Sequence, residues 1–349
     1  MIMKACCFFA SNIDRDFPLE RIFSELPSSL RQRINPLVRN GAGEEIVLDA
    51  PLPDFSVKGT DGLGGQSGNS ARALGTLGVE TFLSVGRGRA ALRRFAGKNV
   101  RVIGPEGVPR IHAILEYGKG FLGAPNPNRI ILTYDPENTK GTVPESFEKK
   151  VLAEGELSFA LVGGLHLAGN CSRAISLAKK LRARGAFTHF EFNSKEGLDW
   201  RTLIGRTKGA FDSFGCNSEE AEKICGKDYW SLPEIAGAEI AVVHSRGKSV
   251  AVFRTGSLSP NEVSAALSFA AKLAAGKVFS GKDCSIRMLG SLEKAGKISA
   301  GGRAHVAERS GIVKVEVPSW TVSASEKTSL GLGDSFAAGF VYSLFSCVK

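Results

Sequence analysis

Residues 328–341 read TSLGLGDSFAAGFV and place two glycines just before an acidic residue and an apolar segment. Gly331 and Gly333 enclose Leu332, and Asp334 follows them. The small and apolar residues after Asp334 predict a helix, so the glycines would form the turn that opens it. Unpaired N–H groups and the positive end of the helix dipole at such a turn attract an anion, typically a phosphate.

Asp334 has two explanations at this place. Asp is a good N-cap residue, so its role could end with capping the helix. It could also be a general base that takes a proton from a hydroxyl while the turn holds the phosphoryl group being transferred. Short glycine motifs occur often, so the local pattern does not choose between the two explanations. The rest of the chain has to decide.

The composition predicts a soluble α/β protein that acts on small molecules. The 349 residues contain 41 Gly and are 43% hydrophobic and 23% charged, which suits an ample core. The net charge is +10, but the basic residues are scattered, so we expect anionic small substrates and no nucleic-acid partner. The seven cysteines include no C-x-x-C pair and indicate free thiols in the cytoplasm. No apolar run has membrane-spanning length, so we expect no membrane partner.

Strand and helix patterns alternate over most of the chain. Residues 4–10 (KACCFFA) form a continuous apolar run that predicts a strand buried on both faces. Residues 100–135 differ, because segments 101–103, 109–117 and 128–134 are separated by Gly, Pro and Asn turns without a helical period. That pattern predicts an antiparallel sheet. We expect a large α/β domain from residues 1–14, 61–98 and 136–349, and a small β-rich lid from 15–60 and 99–135.

Two polar segments follow predicted strands or precede predicted helices. Asn12 and Asp14 come directly after the first strand, where open α/β sheets place ligand-binding groups. Residues 59–69 (GTDGLGGQSGN) lead into a helix predicted over 70–77, and the amides of Gln66 and Asn69 could bind hydroxyls. An Asx turn and a plain tight loop are the alternatives.

Two acidic motifs stand at the ends of later strands. His189 and Glu191 lie on one face of a predicted strand, because strand side chains alternate with period two. Asn217 and Glu220 lie at a helix start, where Glu220 could simply be a first-turn acid. Glu191 could be a paired strand-end carboxylate and His189 a core histidine. His112 and His166 are expected to be structural.

In this order the motifs resemble those of the ribokinase-like superfamily of sugar kinases, and most closely its ADP-dependent glucokinases and phosphofructokinases. The matching patterns are Asn-x-Asp, Gly-Gly-Gln-x-Gly, His-x-Glu, Asn-x-x-Glu and Gly-x-Gly-Asp, which together span most of the chain. The resemblance implies a ribokinase-like three-layer α/β/α domain with a mostly parallel central sheet and a small β-rich lid. It also implies a kinase with Mg²⁺ as its cofactor.

The resemblance implies a role for each matching residue. Asp334 would be the catalytic base, with Gly331, Leu332 and Gly333 forming the anion hole. The remaining positions fall into three groups: sugar binding at Asn12, Asp14, Gly65, Gln66 and Asn69; nucleotide binding at Asn217, His244 and Gly331; and metal binding at Glu191, Glu220 and His189.

Three functions are therefore in competition. The leading expectation is an ADP-dependent kinase acting on a hydroxyl of a sugar or sugar phosphate, of the glucose or fructose 6-phosphate type. The second is an ATP-dependent ribokinase-type kinase for a sugar or nucleoside, and the third is a non-catalytic sugar- or nucleotide-binding homologue. We expect a nucleotide (ADP or ATP) and a sugar as partners, and a monomer or homodimer.

Overall fold

Strands and helices alternate over most of the chain, as the sequence predicts. The computed structural model describes residues 3–51, 54–134, 143–167, 171–194, 199–323 and 331–346, so residues 328–330 of the C-terminal motif lie outside it. In chain order its strands are β1 Lys4–Phe9, β2 Asn12–Pro18, β3 Glu44–Val47, β4 Thr60–Gly64, β5 Glu80–Ser84, β6 Val100–Ile103, β7 Ile111–Tyr117, β8 Asn128–Thr133, β9 Phe159–Gly163, β10 Phe187–Glu191, β11 Ser213–Asn217, β12 Ile240–His244, β13 Lys248–Arg254, β14 Ile298–Ser299, β15 His305–Arg309, β16 Ile312–Pro318 and β17 Thr321–Val322. Its α-helices are α1 Leu19–Ile22, α2 Ser28–Arg39, α3 Gln66–Thr76, α4 Arg89–Ala96, α5 Glu145–Ala153, α6 Ser172–Arg182, α7 Trp200–Thr207, α8 Ser218–Cys225, α9 Leu232–Ala236, α10 Pro260–Ser280, α11 Ile286–Lys294 and α12 Leu332–Ser346.

The larger sheet has ten strands within the described residues, in the order β15-β16-β13-β12-β11-β10-β9-β1-β5-β6. Neighbouring strands are parallel from β12 through to β6. The last three strands, β13, β16 and β15, are added in antiparallel pairs. The prediction of a mostly parallel central sheet is confirmed.

Helices cover both faces of this sheet. Along β1, Ala5 and Cys7 pack in a core with α3, α4, α10 and α12. Cys6 and Phe8 point the other way, into a core with α5 to α9. Because both faces are buried, β1 shows a continuous apolar run rather than alternation. The three-layer α/β/α arrangement is confirmed.

A second, smaller sheet has the order β3-β8-β7-β2-β4. Two of its pairs are antiparallel, β7 with β8 and β2 with β4, and the other two pairs are parallel. Helices α1 and α2 cover one face and form a separate apolar core with it. The other face is left for polar side chains. The second sheet that the sequence predicts is therefore present.

Several local predictions are wrong. Residues 101–103 were predicted to be an antiparallel lid strand, but β6 pairs in parallel with β5 at the edge of the large sheet. The reason is α4, which connects β5 to β6 and so allows the two strands to run parallel. Its arginine-rich sequence was not recognised as a helix. Helix α2 was not predicted at all, and α3 begins at Gln66 rather than at residue 70.

Asn12 and Asp14 also lie in a different element from the one expected. They do not end the first strand of the large sheet but begin β2 of the small sheet, where they face β4. We propose a domain division that follows the two sheets, with crossings near residues 11, 65, 110 and 134. Under this division, Asn12, Asp14 and residues 60–64 belong to the lid.

Helix α10 is the one described helix that is long and apolar enough to cross a membrane by length and composition. Half of its apolar window is buried within the protein. Its side chains pack in the same core as those of α12. Its apolar character therefore has an explanation in the packing of the fold.

Candidate active site

The carboxyl ends of the parallel strands meet at one cavity of about 360 Å³. Glu191, Asn217 and His244 are the last residues of β10, β11 and β12, and all three line it. The polar face of the small sheet supplies the opposite wall through residues of β2, β3, β7 and β8. Ligands of open α/β sheets bind at this edge, so the cavity is the candidate active site.

The turn before α12 lies at the floor of this cavity. Gly331 has a φ of +61°, and its carbonyl accepts the first helical hydrogen bond from the N–H of Ser335 at 3.0 Å. The N–H groups of Leu332, Gly333 and Asp334 have no partner among the described residues, as expected for the first turn of a helix. These three donors can hold an anion, as the glycine pattern predicts.

Asp334 is buried beside these donors, with 8% of its surface exposed. Its Oδ2 accepts a hydrogen bond from the Asn69 amide at 3.1 Å. Burial raises the pKa of Asp334 to about 6, and the charge of Glu191 acts in the same direction. Lys277, Asn69 and Arg129 oppose the rise. The carboxyl group is thus poised to accept a proton near neutral pH.

The Asn-x-Asp and Gly-Gly-Gln motifs pack directly on each other. The Asn12 amide donates to Asp14 Oδ1 at 2.6 Å, and burial raises the pKa of Asp14 to about 7. A Cβ on Gly64 would lie 2.0 Å from the Asp14 carboxyl carbon. A Cβ on Gly65, whose φ is +74°, would lie 2.6 Å from Asn12 Oδ1. The glycine pair therefore makes room for the two polar side chains.

Three of the predicted sugar-binding residues lie at the ends of α3 and β4. Gly65 and Gln66 line the cavity beside Asp14, and Oε1 of Gln66 is buried without a hydrogen-bond partner among the described residues. Asn69 also lines the cavity, but its amide is directed at Asp334. This hydrogen bond orients the Asp334 carboxylate at the cavity wall.

Glu191 lies between two histidines. Its Oε2 is 3.1 Å from Nε2 of His189, and its Oε1 is 2.8 Å from Nε2 of His244. Nδ1 of His189 in turn pairs with the Ser213 hydroxyl at 2.9 Å. Burial acts to raise the pKa of Glu191, but His244 and His189 outweigh it and hold that pKa below its usual range. Both ring nitrogens of His189 are already paired, so we propose that it positions Glu191 rather than binding metal.

Asn217 and Glu220 form a capping box at the start of α8. The Asn217 side chain accepts from the N–H of Glu220, and the Glu220 carboxylate accepts from the N–H of Asn217, both at 2.9 Å. The other Glu220 oxygen accepts from the N–H of Ser194 at 2.8 Å. Burial raises the pKa of Glu220 to about 7. Glu220 is thus a first-turn residue of α8, and both side chains of the capping box also line the cavity.

The donor set suits a divalent cation that keeps its water. No group of three or more His, Cys, Asp or Glu in the described part of the chain is arranged to hold a metal directly. Glu191, Glu220 and Asn217 instead present oxygen atoms at one side of the cavity. Mg²⁺ prefers oxygen ligands and usually keeps several waters, so these residues fit a hydrated ion.

A second cavity of about 740 Å³ adjoins the first. The two cavities share five residues, Asn217, His244, Arg246, Leu332 and Gly333. The far wall is more apolar and includes Ala271, Ala275 and Trp320. Two ligands bound in the two cavities would therefore meet at the turn before Asp334.

Several cavity residues escaped the sequence analysis. Glu45, His112, Arg129, His166 and Arg246 line the first cavity, although His112 and His166 were expected to be structural. Nε2 of His112 and both ring nitrogens of His166 are buried without a hydrogen-bond partner among the described residues. For His112 and Arg129 the only sequence signal is a polar residue inside a short apolar strand, and His166 and Arg246 lie outside the strands and give no such signal.

Comparison with known proteins gives one family and several similar structures. Residues 27–229 match the family model described as the ADP-specific phosphofructokinase/glucokinase conserved region. No curated protein gives a significant match. An ADP-dependent kinase in complex with fructose 6-phosphate and ADPβS has a TM-score of 0.79 at 18% identity, over 98% of this chain and 93% of that chain.

Two further structures come from Pyrococcus horikoshii OT3. A hypothetical ADP-dependent phosphofructokinase has a TM-score of 0.73 at 18% identity, over 100% of this chain and 99% of that chain. A phosphofructokinase with AMP has the same TM-score and identity, over the full length of both chains. At such identities the structural likeness establishes the fold.

Proposed function

The chain belongs to the ADP-specific phosphofructokinase/glucokinase family of phosphotransferases, which act on a hydroxyl, and we propose that it transfers a phosphoryl group from ADP to a sugar or sugar phosphate. One observation carries the proposal. The buried Asp334 lines the first cavity directly after Leu332 and Gly333, which line both cavities, and the N–H groups of these three residues have no partner among the described residues. A donor phosphate in one cavity and an acceptor hydroxyl in the other would therefore meet beside this carboxylate.

In this proposal Asp334 accepts the proton of the acceptor hydroxyl. The hydroxyl oxygen attacks the β-phosphorus of ADP, the bond from that phosphorus to the bridging oxygen breaks, and AMP leaves. The N–H groups of Leu332, Gly333 and Asp334 hold the phosphoryl oxygens during the transfer. Because phosphoryl transfer depends mainly on positioning and charge stabilisation, these fixed donors supply much of the catalysis.

The acidic residues at the strand ends support a metal-assisted reaction. Bound Mg²⁺ would neutralise charge on the phosphates. Glu191, Glu220 and Asn217 would hold its water shell, and His189 would keep Glu191 in place. We expect chelation by EDTA to abolish turnover and added Mg²⁺ to restore it.

The second cavity is proposed as the nucleotide site. Its apolar wall on α10 and the ring of Trp320 suit a purine base, while the shared edge lies at the turn. Of the residues predicted to bind nucleotide, Asn217 and His244 line both cavities, and Gly331 lines the first. The His244 imidazole lies beside Gly333, where an added Cβ would be 3.0 Å from it.

The first cavity is proposed as the acceptor site. Asp14, Gln66 and Glu45 offer oxygen atoms to sugar hydroxyls. A polar ligand can also supply partners for Nε2 of His112 and Nδ1 of His166, which have none among the described residues, while Nε2 of His166 lies 3.9 Å from Glu45. Arg129 and Arg246 add positive charge to the wall, which suits an acceptor that already carries a phosphate.

A cytoplasmic location stays a prediction.

A donor and acceptor panel tests the proposal. Glucose, fructose 6-phosphate, ribose, ribose 1-phosphate and nucleosides are each assayed with ADP and with ATP. We expect AMP to form with ADP and a hexose or hexose phosphate. Activity with ATP alone would instead support the ribokinase-type alternative, and the absence of activity with every pair would support a binding protein.

The pH dependence of kcat/KM follows from the raised pKa values of cavity carboxyl groups, among which Glu220 has a pKa of about 7. Asp334 must be ionised to accept a proton, and its pKa is about 6. Asp14, with a pKa of about 7, faces the same cavity. We expect kcat/KM to be highest above pH 7 and to fall as the pH drops through 7 and 6. A profile measured from pH 5 to 8.5 that stays flat down to pH 5 would contradict this assignment.

Replacing Asp14 tests the acceptor site. Asp14→Ala removes a buried hydrogen-bonding carboxylate, so we expect KM for the sugar to rise about tenfold to hundredfold while KM for ADP is unchanged. Asp61→Ala is the control, because Asp61 lies on the neighbouring strand and pairs with Arg15 outside the cavity. Equal effects of the two substitutions on the sugar KM would argue against an acceptor site at Asp14.

A further inference from the structure

A buried ion pair lies against the turn before α12. Lys277 of α10 is 3.1 Å from Asp283, and their side chains are only 3% and 4% exposed. Neither residue lines the two cavities. Their side chains therefore have no route to a ligand of the candidate site, and any effect on catalysis must pass through other groups.

The Lys277 ammonium holds the first carbonyl of the turn. Its Nζ donates to the Gly331 carbonyl at 3.3 Å and to the Ser335 hydroxyl at 3.1 Å. That hydroxyl donates to Asp283 Oδ1 at 3.2 Å. The residues before and after Leu332-Gly333-Asp334 are thus both tied to the same ion pair.

The other side of Asp283 leads back to the Asp334 carboxylate. Nε of Arg72 donates to Asp283 Oδ2 at 2.5 Å, and a terminal nitrogen of Arg72 donates to Asn69 Oδ1 at 3.3 Å. The Asn69 amide then donates to Asp334 Oδ2 at 3.1 Å. These hydrogen bonds form one continuous network that connects the turn to the Asp334 carboxylate.

Arg72 also connects this hydrogen-bond network to the lid. Its second terminal nitrogen donates to the Leu63 carbonyl of β4 at 3.3 Å. Leu63 belongs to the small sheet, and it pairs with Ile13, between Asn12 and Asp14. A displacement of Arg72 would therefore reach the base and the acceptor-binding strands together.

The net stabilisation from such a pair is expected to be small. Removing two charges from water costs about as much as their mutual attraction returns, so a buried ion pair is weak evidence for stability. Its hydrogen bonds are instead well suited to fixing one arrangement of the groups around it. Catalysis at the turn needs this, since a displacement of about 1 Å costs about a hundredfold in rate.

We propose that Lys277, Asp283 and Arg72 are positioning residues that hold the anion-binding turn and the Asp334 carboxylate in register with each other. They touch neither substrate. The proposal rests on the proposed function, because it assumes that Asp334 is the base. The three residues that would support the Asp334 carboxylate are between 51 and 262 positions away from it along the chain, so the local sequence does not reveal them.

The test is Lys277→Met. We expect kcat to fall about 10- to 100-fold, with KM for ADP and for sugar changed less than about threefold, because no ligand contact is lost. Losing the ammonium removes a positive charge that lowers the pKa of Asp334, and it leaves Arg129 as the remaining nearby cation against the charge of Glu191. The pKa of Asp334 should therefore rise. The fall of kcat/KM at acidic pH, its acid limb, should move to higher pH. Asp14, His244 and Cys7 also face Asp334 and are unchanged.

Lys4→Met is the matched control. Lys4 forms an ion pair of the same 3.1 Å length with Glu154 at the start of β1, at the amino edge of the sheet. This pair is more exposed, with 31% and 14% of the two side chains accessible, so less charge interaction is lost, and kcat and the acid limb should stay unchanged. If Lys277→Met does not fold, Lys277→Met/Asp283→Asn removes both charges at once, and the same fall in kcat at constant KM is expected.

The outcomes separate the two proposals. An inactive wild-type protein with every donor and acceptor would overturn the proposed function and the positioning role together. An active wild-type protein whose folded Lys277 variants keep kcat within about twofold and show an unmoved acid limb would overturn the positioning role alone. A rise in KM with unchanged kcat would also overturn it, since that result belongs to a ligand contact.

Discussion

Asp334→Asn is expected to lower kcat about 10²- to 10⁴-fold, the range that general-base catalysis contributes. Asn has nearly the same shape and can still pair with the Asn69 amide, so the turn and the helix should persist. What is lost is the ability to take the hydroxyl proton. KM for both substrates should change little, because the N–H donors and the polar walls of both cavities remain.

Asp49→Asn is the control for this substitution. Asp49 is exposed and lies in the segment that follows β3, outside both cavities. Initial rates with ADP, thermal unfolding and substrate binding are measured for both variants. If Asp334→Asn folds, binds both substrates and turns over at the wild-type rate, then Asp334 is a capping residue and another group accepts the proton.

Gly331→Ala should be almost as damaging, with an expected loss of about 10²- to 10³-fold in kcat, comparable to the loss of an anion-hole donor. Alanine at a φ of +61° is strained by about 1–2 kcal/mol. Its Cβ would also lie 2.9 Å from the Asn69 amide carbon and 3.0 Å from Lys277 Nζ. Relief of those contacts must move the turn, Asn69 or Lys277, and each movement disturbs Asp334.

Gly296→Ala separates backbone strain from the collision. Gly296 has a φ of +64°, and a Cβ there meets no atom within 4 Å. It should lose similar stability in thermal unfolding while keeping wild-type kcat. If the two alanine variants are destabilised equally and both keep kcat, the space around Gly331 has no catalytic importance.

Local patterns were enough to predict the large sheet and the glycine turn before α12. The apolar run of β1 reflects burial on both faces, and the glycine turn before α12 reflects a positive φ at Gly331. Each requirement concerns only a few neighbouring residues. The prediction failed at residues 101–103, because whether β6 joins the parallel sheet depends on α4, whose apolar residues are few among its arginines. Similarly, Asn12 and Asp14 line the cavity, but they belong to β2 of the small sheet and not to the end of β1 as predicted.

The opposite wall of the cavity and the support behind the turn could not be predicted. Glu45 and His112 enter the site only because the small sheet folds across the ends of the parallel strands. Arg72 and Asp283 are 211 positions apart, and nothing in either local sequence indicates the other. Contacts of this kind arise from tertiary packing, which a single sequence does not display.

Product analysis tests the central claim most directly. Wild-type protein and Asp334→Asn are incubated with Mg²⁺, ADP and fructose 6-phosphate or glucose, and AMP and the new phosphate ester are quantified by ³¹P NMR. The predicted result is equal amounts of AMP and ester with the wild-type protein and less than about one hundredth of that rate with Asp334→Asn. AMP and ester formed at equal rates by both proteins would contradict the assignment of Asp334 as the base, and no ester from the wild-type protein with either acceptor would contradict the proposed reaction.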